Sequence, residues 1–507
     1  MMDLLLLLAL SCALALFLTP VVRSWATRFG LLDVPDGRRK IHTKATPVAG
    51  GLAILAATIV TLLVAWFASP LLHNRLEKDS YFLVGLMLAS VLIAILGVVD
   101  DFGKLRGRYK LLGQIAVVGL VMLMGVRVES IRLLDWPLQL GWLSIPFTAF
   151  FLLGAINSLN LLDGMDGLLS VIGIIITLGF GVIAALNESW TAAYVAVILA
   201  GGILGFLRYN FPPASIFLGD SGSMLIGLII GVLAIQSSLK ATAAVGLAAP
   251  LAILTLPIMD TFAAIIRRKL TGRSIYATDR GHLHHCMMSR GLSHRKVLMA
   301  VAALCLVCVI GAWLSIFLKN EVYALLAAGI VVSILVASRL FGYVELVLIK
   351  KSLAHQTTKW FARGRRGQPR QMAMDLQGDV DWTGLWERLT LSAQELDCTF
   401  VKLDINAPAY HTSFHARWED PVEDHAEVPA TWHLVLPIAV AGTIVGRVEL
   451  SGQRGPEFFW DKTAKIALLL EDFETALQTA LQIASGSSEV QPALPVNPAP
   501  AYAGAGQ

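Results

Sequence analysis

The chain alternates long apolar runs with short polar breaks. About eleven of the runs are long enough to cross a bilayer, which takes about 20 residues each. They fall at 3–22, 48–68, 80–99, 111–127, 142–161, 168–186, 191–207, 217–236, 243–266, 297–317 and 322–341. In lipid only helices and closed barrels satisfy their own backbone. Runs of this length predict an all-α polytopic membrane protein with about eleven transmembrane helices, over residues 1–345. Beyond it the pattern changes. Residues 346–378, which include Arg363-Gly-Arg-Arg-Gly-Gln-Pro-Arg370, read as a basic linker. Residues 379–485 read as a small α/β domain: helical spacing over 382–395, strands at 399–405, 432–439 and 444–450, and a closing helix at 464–484. Residues 486–507, rich in Pro, Ala and Gly, are expected to be disordered.

Composition agrees. The 507 residues are 56% hydrophobic and only 15% charged, with a mean hydropathy of +0.68; soluble domains carry about 25% charged residues. The net charge of +4 is small, so its placement is what informs. One set of breaks holds Arg23, Arg28, Arg38, Arg39, Lys40, Lys44, Lys104, Arg106, Arg108, Lys110, Arg208 and a cluster from Arg267 to Lys296; the alternate set holds few cations. The basic set predicts the cytoplasmic side. It places the N-terminus outside and, after an odd number of spans, the C-terminal domain inside the cell. The first run has Asp3 in place of a basic leader and Arg23 after it, and is expected to stay as an uncleaved span. Of the five cysteines, Cys305 and Cys308 form a CxxC, but within an apolar run and without a second pair. Packing explains them better than zinc or redox chemistry.

The polar motifs gather on the basic side. The densest is Asn157-Ser-Leu-Asn160-Leu-Leu-Asp163-Gly-Met-Asp166-Gly-Leu168, between two apolar runs. Charge at a helix centre in lipid costs about 2.5–3.5 kcal/mol on insertion scales, so these groups call for a metal, a partner or a substrate. Asp100-Asp101 ends the third run beside Lys104, Arg106, Arg108 and Lys110. Such a pair suits Mg²⁺, which takes one or two carboxylates plus substrate phosphates. Phe217-Leu-Gly-Asp220-Ser-Gly-Ser223 opens the eighth run, and Asp279-Arg280-Gly-His282-Leu-His284-His285 follows the ninth. One acidic helix cap is ordinary, whereas three on one face are not. Lys44-Ala-Thr46-Pro47-Val-Ala-Gly50-Gly51 offers helix-start N–H groups that suit phosphate, although taken alone a plain positive-inside loop is the better account. HExxH is absent, which disfavours an intramembrane metalloprotease. A transporter would carry polar groups near the bilayer midplane and on both routes; these motifs describe one site on one surface. Scattered His411, His415 and His425 lack ligand spacing and read as surface or packing histidines.

Taken in order, these motifs resemble the polyprenyl-phosphate N-acetylhexosamine-1-phosphate transferase family, glycosyltransferase family 4, over residues 1–345. The His-Leu-His-His segment resembles the branch that uses UDP-N-acetylglucosamine. The resemblance implies Mg²⁺ as cofactor, with Mn²⁺ able to replace it, held by Asp220 and Asn160. It implies catalytic roles for Asp100 and Asp101 at the lipid phosphate, and for Asp163 either beside them or behind the metal ligands. Lys110, Arg280 and His282 would grip the diphosphate with Lys44, His284 and His285 near, and Asn157 and Asp166 would lie on the nucleotide side. The implied partners are a UDP-sugar, a polyprenyl phosphate and the bilayer of the inner membrane, with a homodimer compatible and no nucleic acid. The C-terminal domain lies outside the family pattern. UDP-N-acetylmuramoyl-pentapeptide or another UDP-HexNAc as donor, and a cation-coupled transporter, are the competing readings.

Overall fold

The computed structural model describes residues 2–34, 45–103, 105–133, 136–239, 245–270, 281–343, 345–347, 349–350, 370–377, 382–407, 412–419, 431–453 and 459–485. The chain divides into two units, residues 1–268 with 274–347, and residues 269–273 with 348–507.

The first unit is helical. Its helices are α1 (Met2–Arg28), α2 (Gly50–Ala68), α3 (Pro70–Glu77), α4 (Ser80–Gly103), α5 (Gly107–Leu123), α6 (Ser144–Leu162), α7 (Leu168–Leu186), α8 (Trp190–Asn210), α9 (Gly219–Leu239), α10 (Ala248–Ile253), α11 (Thr255–Leu270), α12 (Leu283–Ser289), α13 (His294–Phe317) and α14 (Val322–Ala337). Among the described residues, eight are long and apolar enough to cross a membrane: α1, α2, α4, α6, α7, α8, α9 and α13. The count of eleven is therefore not reproduced. The run at 111–127 becomes α5, of 17 residues, and the run at 322–341 becomes α14, of 16. The run at 243–266 breaks at Leu254 into α10 and α11. Pro257 in the first turn of α11 suits a fresh helix start, because its missing N–H would have no partner there anyway. Hydropathy sums apolar residues and is blind to such a break.

Helix α9 is the centre of this unit, packed by α2, α4, α6, α7 and α8. It is apolar all round, as a helix buried on every side must be; from Met224 to Ile235 its apolar side chains are at most 2% exposed. At its start the neighbours come to backbone contact. A Cβ on Gly51 of α2 would lie 2.2 Å from Gly222 N, and one on Gly97 of α4 would lie 2.3 Å from Ser221 N. Small residues permit this approach where lipid offers no hydrophobic drive between helices. The starts of α2 and α9 are also stitched together: Gly50 and Gly51 donate to the carbonyls of Phe217 and Leu218 at 2.9 and 3.1 Å. These N–H groups are spent within the fold, which removes the phosphate cradle suggested by the glycine pair.

The second unit is a five-stranded antiparallel sheet with two helices, Trp382–Glu395 and Phe459–Ser485. The strand order is Arg370–Gln377, Thr412–Glu419, Cys398–Ala407, Thr443–Gln453, Thr431–Val440. Alternate residues of the central strand divide the faces. Val401, Leu403 and Ile405 enter a core with Trp386 and Leu477, whereas Lys402 pairs with Glu449 at 3.1 Å and Asp404 with His415 at 3.1 Å. Two strands differ from the sequence reading. Arg370–Gln377 lies inside the stretch read as linker, where the neighbouring arginines dominate the pattern. Thr412–Glu419 shows the alternation of Phe414, Ala416 and Trp418 but reads as polar because of His415, Arg417 and Glu419. His415 is a packing histidine; His411, His425 and residues 486–507 lie outside the described residues.

Candidate functional site

The end of α4, the start of α5, the end of α6 and the start of α9 converge, and each delivers part of the acidic motifs. Adjacent residues on a helix point about 100° apart, so Asp100 and Asp101 do different work. Asp101 turns to α9, where its Oδ1 accepts from Asp220 N at 3.0 Å and its Oδ2 from Ser221 N at 3.4 Å. It caps a helix that is not its own. The cap needs Gly219, which has φ +69° and leaves no room for a Cβ, placed 2.6 Å from Asp101 Oδ2. Asp100, only 9% exposed, accepts from Leu105 N at 2.7 Å and pairs with Lys110 at 2.9 Å.

Lys110 is the hub. Its ammonium lies 2.9 Å from Asp100 Oδ2, 2.6 Å from Asp220 Oδ2 and 3.5 Å from Asn160 Oδ1. Asn160 donates to Asp220 Oδ1 and Ser223 Oγ, both at 2.7 Å. A cation is thus already surrounded by hard oxygen donors. That donor set fits a divalent ion of the Mg²⁺ kind, which needs one or two carboxylates and completes its shell with water and substrate phosphate. No group of three or more His, Cys, Asp or Glu side chains among the described residues is placed to hold a metal by itself.

Asn157 is tied to a neighbouring helix. One turn deeper than Asn160, it exchanges amide hydrogen bonds with Gln114, Nδ2 to Oε1 at 2.8 Å and Gln114 Nε2 to Asn157 Oδ1 at 3.3 Å. Gln114 lies one turn beyond Lys110 and is 1% exposed. The amide pair braces the site from within the bundle. Asp166 also braces, since its Oδ2 accepts from Ala214 N at 2.9 Å. Buried Asn210 accepts from Gly167 N at 3.1 Å and Ser170 Oγ at 2.8 Å, and donates to Ile216 O at 3.1 Å, tying the acidic loop to the segment before α9.

Asp163 follows α6 directly. Part of the residue reaches solvent, but its carboxyl group sits deep among protein atoms. Burial, then the charges of Asp220, Asp101 and Asp166, push its pKa up to about 8. The sign of the linkage follows. The folded state keeps a proton that the unfolded state loses near pH 4, so stability falls as pH rises from about 4 to about 8. In metal-free detergent solution, Asp163→Asn should gain thermal stability relative to wild type at pH 8 and little at pH 5. Melting curves across this range check it.

The histidine segment closes on the acidic loop. A Cβ on Gly164 would lie 2.6 Å from His284 Nε2. His282, His284 and His285 form a row with ring centroids 6.1 and 4.2 Å apart. His284 is 1% exposed, and neither of its ring nitrogens has a hydrogen-bond partner among the described residues. Burial, then the neighbouring histidines His285, His282 and His294, hold its pKa well below the usual histidine range. It is therefore a neutral donor and acceptor rather than a cation. Buried polar atoms nearly always have partners. Lys44 and Arg280 lie outside the described residues. The other expected residues gather at this end of the bundle; Gln114, Asn210 and Asp260, an acid that bonds His282, were not foreseen.

The family model for glycosyl transferase family 4 matches residues 83–238, from α4 through α9. A Bacillus subtilis (strain 168) protein named as a probable undecaprenyl-phosphate N-acetylglucosaminyl 1-phosphate transferase is 32% identical over 313 residues, covering 60% of this chain and 84% of the relative. The chain belongs to glycosyl transferase family 4. Other members include a decaprenyl-phosphate N-acetylglucosaminephosphotransferase of Mycolicibacterium smegmatis (strain ATCC 700084 / mc(2)155), 32% identical over 63% of this chain and 84% of its own length. A phospho-N-acetylmuramoyl-pentapeptide-transferase of Moorella thermoacetica (strain ATCC 39073 / JCM 9320) is 33% identical over 59% of this chain and 94% of its own length. The family match encloses Asp100, Asp101, Lys110, Asn160, Asp163 and Asp220; the histidine segment lies beyond it.

Proposed function

We propose that this glycosyltransferase moves N-acetylglucosamine-1-phosphate from UDP-N-acetylglucosamine to a polyprenyl phosphate, undecaprenyl phosphate by likeness to the Bacillus relative, and releases UMP. The product would begin a cell-surface polysaccharide. The observation that carries the reading is the Lys110 hub: carboxylates and an amide from α4, α6 and α9 surround one cation at a bundle end. The site suits two phosphorylated substrates, one water-borne and one lipid-borne. The excess of Lys and Arg in the breaks on the site's side supports an inner-membrane protein with this end and the second unit in the cytoplasm.

Asp220, Asn160 and Asp100 would hold Mg²⁺. When bound, the ion would neutralise diphosphate charge and polarise the bond to the leaving group. Lys110 would then turn from its carboxylate partners to the diphosphate. Asp101 keeps the start of α9, and with it Asp220, in place. The acceptor phosphate oxygen attacks the sugar-linked phosphorus, a new P–O–P bridge forms, and the old bridge breaks with its electron pair leaving on UMP. An anionic oxygen needs no covalent relay through protein, and Asp100 or Asp163 would steer the acceptor's proton. His284, neutral and without a hydrogen-bond partner among the described residues, would offer a donor and an acceptor to an uncharged part of the donor substrate.

The donor sugar is tested with purified protein, polyprenyl phosphate and a panel of UDP-sugars. UDP-N-acetylglucosamine should be turned over at least about 10-fold better than UDP-N-acetylmuramoyl-pentapeptide, a margin worth about 1.4 kcal/mol. The reverse order would reassign the sugar and keep the chemistry.

A further inference from the structure

Helix α11 carries a buried acid that the mechanism above does not use. Asp260 is 0% exposed. One of its oxygens lies 2.7 Å from His282 Nδ1, and the other accepts the N–H of Leu283, the first residue of α12, at 2.8 Å. Two turns further along the same buried stripe, Arg267 packs its guanidinium against Gly281 so closely that a Cβ there would lie 2.5 Å from its Nε. Arg267 is in turn paired with Glu345. Two opposite charges on one face of α11 therefore hold the segment Gly281-His282-Leu283. A carboxylate in such a place is costly unless it is paired and hydrogen-bonded, and the imidazole is one of its two partners.

The pairing dictates what His282 can do. With Nδ1 committed to Asp260, the ring carries its proton there, and Nε2 is the nitrogen left for substrate. A carboxylate behind the ring fixes its orientation and tautomer. We propose that Asp260 is a positioning residue: it holds His282 so that Nε2 meets the diphosphate of a nucleoside-diphosphate sugar. This rests on the function proposed above.

Two readouts test it. In protein labelled with ¹⁵N in its histidine rings, the His282 signals are identified by their loss in His282→Gln. Wild type should show a protonated, hydrogen-bonded Nδ1; Asp260→Asn should lose that signature, and Asp260→Glu, which keeps the charge, should recover it in part. In turnover, Asp260→Asn should raise KM for the UDP-sugar about 30-fold or more, with kcat changed far less. The same substitution in a His282→Gln background should add nothing, because its effect passes through the ring. An unchanged Nδ1 signature, or an equal loss in both backgrounds, would overturn the proposal and leave Asp260 as a helix cap alone. If wild type fails to turn over any UDP-sugar, the functional reading fails, while the ring signal still decides whether Asp260 controls His282.

Discussion

Asp220→Asn is expected to lower turnover by about 100- to 1,000-fold, the usual cost of removing a key electrostatic group, while the bundle stays folded. Asp220 is where the site's bonds meet: Oδ2 faces Lys110 at 2.6 Å and Oδ1 faces Asn160 Nδ2 at 2.7 Å. Both partners are donors. An asparagine can satisfy one of them and must turn its own NH₂ toward the other, so the substitution removes a negative charge and sets two donors face to face. The backbone cap survives, because Asp101 accepts from the Asp220 main chain and not from its side chain. Turnover of the purified variant, alongside its melting temperature, checks both halves. Near-wild-type turnover at saturating Mg²⁺ would remove Asp220 from the proposed metal site.

Gly97→Ala should be nearly as damaging from a position that touches no substrate. The new methyl would lie 2.3 Å from Ser221 N and 2.4 Å from Ser221 Cα. Both are backbone atoms in the first turn of α9, so no side chain can swing aside. Helices α4 and α9 would have to separate just where Asp101 caps Asp220 and Ser221. Overpacking of this kind costs about 1–3 kcal/mol, and a shift of about 1 Å among reacting groups can cost about 100-fold in rate. We expect a lower melting temperature and a turnover loss of that order. Gly119→Ala, with open space around its Cβ, is the control that should leave both unchanged.

Much of this architecture was legible from the chain because its signals are local. Apolar runs set most of the spanning helices, and acids at the edge of a run marked three of the segments that build the site. What escaped was long-range. That Lys110 pairs with Asp220 across 110 positions, or that Asp101 caps α9, follows from which helices become neighbours, and hydropathy is silent on that. The family resemblance implies that Asn157 and Asp166 lie on the nucleotide side. The fold bonds one to Gln114 and the other to Ala214, partners that no local pattern announces. A weaker signal was present for the missed residues: Gln114 and Asp260 are isolated polar groups within apolar runs, and such groups seldom stand in a membrane helix without a partner. The failure to foresee α10 and α11 as separate helices concealed Asp260 further.

The central claim is that one site at one end of the bundle joins a nucleotide-linked sugar phosphate to a lipid phosphate. The most direct test gives purified protein UDP-N-acetylglucosamine labelled in the sugar, and leaves out polyprenyl phosphate or Mg²⁺ in turn. The account predicts equal amounts of UMP and labelled lipid when all components are present, and neither product when either is omitted. Label crossing sealed vesicles intact, with no UMP released under any condition, would contradict it and point to transport instead.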